Sequence, residues 1–485
     1  MINKEDLVKL RKGEWEFLSS KMTLTKDGNN IGYSGAGIIR QIKQKCFKYI
    51  IFASDLTGTF EDEFRHYFDN KLRNGEMVPD SEKYTLTTIE GWASSNLYFI
   101  NINYQKNGSI ITGYAHELVN VFDHTEELKE LNNLNEINKK CTETHSPKLY
   151  NAIPRIKYIF FEKLNFPANL PVEKSSSIKG DEHYLELGMD ALKFKTPKYQ
   201  IELWRENKFT EYTIKSLVTK EKLDDFIEDS SIECLEFCLG RYVPWDIKIV
   251  YEGNIERTHI KQVNRKIKYK VAKPPLRYEH SECSPYFEEL YKKFLKFILE
   301  DKINSTHSIS KYLSEIYNSF NLGFNAQVLT LPVQIEGLLH NKDFDNTKKP
   351  DKDLIIGIEA IKTLVDRSKK DLGISKEVFD TFNQQMRYLL KPKNFSVPSI
   401  LSLLRDKQVI NERDKNAWRE IRNRKAHGEQ LELTQENINY LTQVTVLLYH
   451  LIFHLIDYKG WYTDYGELGY PIKTYPKDLQ KSSLD

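Results

Sequence analysis

The hydrophobic period of this chain changes once, near residue 280, and that change limits the architectures open to it. Before it, short runs rich in β-branched and aromatic residues recur at 84–92, 97–104, 156–161, 199–204 and 245–251, punctuated by Gly, Asn, Asp or Pro. Such runs predict strands of a β-sandwich or a curled sheet. After it, apolar residues return every three to four positions over 286–300, 310–321, 326–340, 354–370, 376–390, 397–406 and 416–424, which predicts helices. The expected class is α+β, with a strand-rich, β-sandwich-like domain over residues 1–280 and an all-helical domain over 281–485. Length agrees, because 485 residues exceed one ordinary core.

Some segments depart from the local pattern. Residues 61–72 place Phe64, Tyr67, Phe68 and Leu72 on one helical face, 231–239 read as another helix, and 120–140 are polar and leucine-spaced, again helical. Residues 173–181 form a loop by composition. The basic segment 261–285 carries Pro274-Pro275 and separates the two periodicities, so the domain boundary is expected there. Its front half alternates Ile267, Tyr269 and Val271 with Lys266, Lys268 and Lys270. That alternation suits either an edge strand guarded by lysines or a basic strip touching RNA backbone. In the last helix Thr434 is a good N-cap, Leu433 and Ile438 have the spacing of a hydrophobic staple, and Ile438, Leu441, Thr445, Leu448, Ile452 and Leu455 mark a buried seam.

A net charge of only +2 gives no general affinity for polyanions, so any nucleic-acid contact must come from a local patch. Five scattered cysteines suit a reducing, intracellular setting. The amino terminus shows no basic and apolar leader pattern, and the longest apolar stretch, 444–456, is too short to span a bilayer. The expectation is a cytoplasmic protein without a membrane partner.

Chemistry concentrates in one run, Arg422-Asn423-Arg424-Lys425-Ala426-His427-Gly428. An Arg followed by four to six residues and a His would arise about once by chance in this composition. Requiring Asn directly after the Arg makes the match much rarer. Cleaving RNA through its own 2′-hydroxyl needs a base, an acid and a cation on the crowded phosphorus. His427 can do either proton job near neutral pH. Arg422 can hold two phosphate oxygens through its planar fork, and Asn423 can orient the imidazole or bind a third oxygen. Arg419, Arg424 and Lys425 would attract the backbone without sequence choice, and Trp418 either stacks a base or anchors the core. Glu336, in an otherwise apolar helical segment, is either exposed or a partner that holds the Arg422 fork.

The run resembles the active-site motif of the HEPN ribonucleases, helical bundles in which Arg, a polar residue, three to five further residues and His follow in order. Gly428 and the lead-in Trp418-Arg419-Glu420-Ile421 are similar to the ApeA-like branch of anti-phage defence proteins. That branch carries a large strand-rich amino-terminal domain, and Phe237-Cys238-Leu239-Gly240-Arg241-Tyr242-Val243-Pro244-Trp245 is similar to a stretch near its end. The resemblance implies a metal-independent endoribonuclease without a cofactor, active as a homodimer whose two motifs share one cleft. It also implies a toxin-like effector of abortive infection, with tRNA or other single-stranded RNA loops as targets and a phage-derived trigger. The alternative is a non-catalytic HEPN-fold protein that dimerises while its β-rich domain recognises a phage protein, a glycan or RNA.

Other candidates read as packing. His450 and His454 share a helical face but lack the Glu of a zinc-binding helix and a third ligand, so no metal is expected. Cys234 and Cys238 are four apart, which suits small core residues.

Overall fold

The computed structural model describes residues 2, 4–26, 29–42, 46–56, 84–94, 97–105, 108–123, 152–179, 182–206, 209–218, 223, 226–253, 255–261, 273–278, 281–300, 307–340, 344, 347–348, 352–368, 373, 375–390, 393–426, 431–477 and 479. Expectations placed on 61–72, on 124–140, on the lysine-alternating strip 266–271 and on His427 therefore lie outside the described residues. The fold is α+β: a strand-rich amino-terminal region followed by a helical one.

Among the described residues, fifteen antiparallel strands share one continuous hydrogen-bonded sheet. Its two halves join where Glu117–Asp123 pairs with Ile255–Lys261, from Ile255 opposite Asp123 to Lys261 opposite Glu117. The expected period of two is visible at Ile255–Lys261, where Glu256, Thr258 and Ile260 turn inward and their neighbours outward. On one side of the join, Trp15, Phe47 and Trp92 meet edge-on, with Trp15 5.6 Å from Trp92, inside a core with Met22, Tyr49 and Ile111. On the other side Tyr158 stacks on Tyr212 at 5.8 Å.

Two expectations need correction here. Residues 173–181 lie largely in a strand, Leu170–Lys179, paired antiparallel with Glu182–Lys195. Polar composition hid it, because strand propensity reflects pairing more than side-chain type. Residues 120–123 end the strand Glu117–Asp123, and Asn120 turns its amide inward to donate to the Glu90 carbonyl at 2.9 Å.

Among the described residues the helices are α1 (Lys4–Lys12), α2 (Ile227–Leu239), α3 (Ser284–Glu300), α4 (Ser308–Leu322), α5 (Phe324–Leu339), α6 (Lys352–Ser368), α7 (Lys376–Leu390), α8 (Val397–Asp406), α9 (Glu412–Ala426) and α10 (Gln435–Leu455). Within the helical unit, α5 packs against α4, α8, α9 and α10, and α9 packs along α10. Thr434 caps α10 by accepting from the Asn437 amide at 3.3 Å, although Leu433 stays 70 % exposed, so the staple is not closed. Helix α10 is long and apolar enough to cross a membrane, and most of it is buried within the protein.

Contacts divide the chain into two compact units, and the division is not a single cut. The first comprises Met1–Leu235, Val243–Tyr269 and Tyr278–Glu288; the second comprises Glu236–Tyr242, Lys270–Arg277 and Glu289–Asp485. Glu236–Tyr242 joins the helical unit for a physical reason. Phe237 stacks on Phe294 at 4.4 Å. Gly240, at φ +60°, lets the backbone of Pro274 approach to where a Cβ would sit 2.6 Å from its Cα.

Candidate functional site

Helix α9 owes its position to its inner face. Asp414, Ala417, Trp418 and Ile421 recur at helical spacing and are all buried. Trp418 is 4 % exposed and its indole N–H meets no acceptor among the described residues, so the base-stacking role considered for it is corrected to a core anchor. Arg422, one turn later, sits at the edge of this face and is partly exposed; Arg419 and Asn423 are exposed.

Arg422 reaches α5. Its Nε donates to Glu336 Oε1 in a partly buried ion pair, while its two terminal nitrogens make no hydrogen bond among the described residues. Glu336 is placed for this contact by the apolar face of α5, where Leu331, Ile335, Leu338 and Leu339 are buried. Gly337 lets α4 come close beside it, because a Cβ there would lie 2.8 Å from the Tyr312 ring.

Arg424 turns toward α10, where its Nη1 donates to Asn437 Oδ1 at 3.2 Å. The Asn437 amide in turn donates to the Glu432 carbonyl at 2.9 Å. These bonds tie the end of α9 to the start of α10 across the segment that carries His427. Lys425 lies on the last turn of α9, and its side chain and all of His427 are outside the described residues. The structure thus brings Arg422 together with Glu336, leaves Arg419 and Asn423 on the surface nearby, and buries Trp418.

Comparison with protein-family models, with curated proteins and with solved structures finds no match to this chain. The chemistry of the site must therefore be read from its own side chains.

At the opposite end of α9 lies a polar cluster that sequence reading missed. Asp414 and His450 are both fully buried, with Asp414 Oδ2 2.8 Å from His450 Nδ1. Gln443 donates its amide to Asp414 Oδ1. Asp414 and Asn411 also cap the helix reciprocally: the Asp414 amide donates to Asn411 Oδ1 at 2.8 Å, and the Asn411 amide to Asp414 Oδ2 at 3.2 Å. The His450 ring stacks on Tyr475 and meets the edge of Tyr462. The available signal was the Asn-x-x-Asp spacing at a helix start, together with a His on an apolar helix that needed a partner.

A cavity of about 330 Å³ opens at this same end, lined by Arg405, Asn411, Glu412, Arg413, Tyr462 and Lys473. Its cations are matched internally: Arg405 pairs with Asp406 and Glu412, while Arg413 and Lys473 both pair with Asp464 and Glu467. Burial pushes the Asp464 carboxyl up, but the Lys473 hydrogen bond and the nearby Arg413 charge outweigh it and hold it below the ordinary carboxylate range. Among the described residues that line it, each cation has a carboxylate partner.

Proposed function

We propose that this chain is a metal-independent endoribonuclease of the HEPN type, working as a dimer in which two copies of residues 422–427 face one cleft. The observation that supports this best is the state of Arg422. Glu336 fixes the guanidinium through Nε, the inner edge, and leaves Nη1 and Nη2 able to take two phosphate oxygens. A guanidinium that served only to solvate a helix end would need no such anchor.

His427 of one subunit takes the proton of the RNA 2′-hydroxyl, and the resulting oxygen attacks the adjacent phosphorus. The bond from phosphorus to the 5′-oxygen breaks, and the departing oxygen receives a proton from the second His427. Arg422 stabilises the charge that builds on the phosphoryl oxygens, with Asn423 beside it. Products carry a 2′,3′-cyclic phosphate and a 5′-hydroxyl. In-line attack needs a splayed nucleotide, so single-stranded loops, including those of tRNA, are the substrates. The chain acts as a toxin-like effector of anti-phage defence in the cytoplasm, and the strand-rich unit senses a trigger, binds the substrate or holds the nuclease inactive.

A second reading has its own support. The charge of Arg422 is matched by Glu336 and Arg424 is tied to Asn437, which suits a helical fold that binds or dimerises without cutting. RNA carrying a single 2′-deoxy nucleotide at the scissile position separates the two. The ribonuclease leaves that substrate intact and cuts its all-ribose counterpart; cutting both would exclude the mechanism.

A further inference from the structure

Helix α6 carries two apolar faces, and among the described residues only one of them is covered. Ile355, Ile358 and Val365 turn inward, with Ile358 4 % exposed, and α6 packs chiefly on α7. On the opposite side Ile356, Ala360 and Leu364 are exposed. Ile356 and Leu364 are 64 % and 62 % exposed, and a Cβ added at Gly357 would touch nothing. Two large aliphatic side chains flanking a small one, at i, i+4 and i+8 along one ridge, suit a helix–helix interface.

The order of residues along this strip identifies what covers it. Taking Ala360 as centre, Ile356 lies four residues before it and Leu364 four after; Asp353 lies seven before and Arg367 seven after. We propose that α6 pairs antiparallel with α6 of a second copy of this chain, about a two-fold axis at Ala360. That axis sets Ile356 against Leu364 of the mate and Asp353 against Arg367 of the mate, each twice. Ala360 meets itself, and its small side chain, with Gly357 beside it, lets the two backbones approach closely. A parallel mate would oppose like charges at both ends. A polyanion is a poor occupant, because Lys352, Lys362 and Arg367 are balanced on the same helix by Asp353, Glu359 and Asp366.

This contact lies on α6, separate from the motif on α9, and does not rest on the ribonuclease reading. Its test is cysteine cross-linking of the full-length chain under mild oxidation, with the wild type as control for the native thiols. Ala360→Cys yields a disulfide-linked dimer. Ile356→Cys alone and Leu364→Cys alone do not, whereas the two together do. In the Ala360→Cys background, Asp353→Arg lowers the rate of linkage about ten-fold by setting like charges together twice, and adding Arg367→Asp restores it. Ala360→Cys linking no faster than the wild type overturns the proposal. So does equal linkage by all three single variants, which would mean random collision or a parallel mate. RNA cleavage, read separately, is not altered by the outcome.

Discussion

At its first turn α9 carries Asp414, fully buried and bonded to His450, Gln443 and Asn411; in its last turns it carries Arg422, Asn423 and Arg424, which stay partly or wholly exposed. Both ends hold an ionisable group beside an amide and close to a His in space or sequence, yet their surroundings differ. At the first end the carboxylate spends its acceptor positions on neighbours in a dry core. Such a group fixes one helix on another and cannot reach a substrate. At the second end the guanidinium is held by one edge and open at the other. Residue type alone does not separate a structural polar group from a chemical one; the number of bonds left over does.

The sharpest break of this comparison is Asp414→Ala. It strands His450 and Gln443 without a partner and removes a helix cap, and it should cost about 3 kcal/mol. The helical unit should then melt roughly 6–12 °C lower by calorimetry. A change under 2 °C would show that the buried cluster contributes little. Trp418→Ala follows, with about 3 kcal/mol lost to the cavity it leaves. If Trp418 instead met RNA, the variant would keep its melting temperature and lose affinity, which a binding titration would reveal.

How much of this was legible beforehand depended on how local the cause was. Helices α7 and α8 lie where apolar spacing puts them, and α10 begins after its Thr434 cap, because period and cap are properties of neighbouring residues. The strand through Glu173 and Ser175–Ser177 was not legible, since its existence depends on pairing with Glu182–Lys195 rather than on its polar composition. Asp414 was equally hidden, because its partner His450 lies on another helix. Glu336 stood out as an acid in apolar surroundings, but only the packing of α5 on α9 brings it to Arg422.

Two smaller effects sharpen the contrast. Glu336→Gln keeps the shape but removes the charge that anchors Arg422, so RNA cleavage should fall about ten-fold, the equivalent of roughly 1.4 kcal/mol, with little change in melting. Unchanged cleavage would assign the pair to structure alone. Asp464 gives a pH effect of known sign. Its carboxyl is held below its ordinary value of 3.8, so its contribution is complete at neutral pH and is lost as pH falls below that value. Asp464→Asn should therefore flatten the fall in melting temperature below about pH 4, and a profile parallel to wild type would reject that assignment.

The central claim meets its most direct test in the ends of cut RNA. Purified wild type, Arg422→Ala and His427→Ala are each incubated with total RNA in EDTA, and the new ends are sequenced and their phosphates typed. Wild type should give discrete cuts in single-stranded loops with 2′,3′-cyclic phosphate ends, and both variants should lose them while melting as wild type does. The same cuts surviving in His427→Ala would contradict the account.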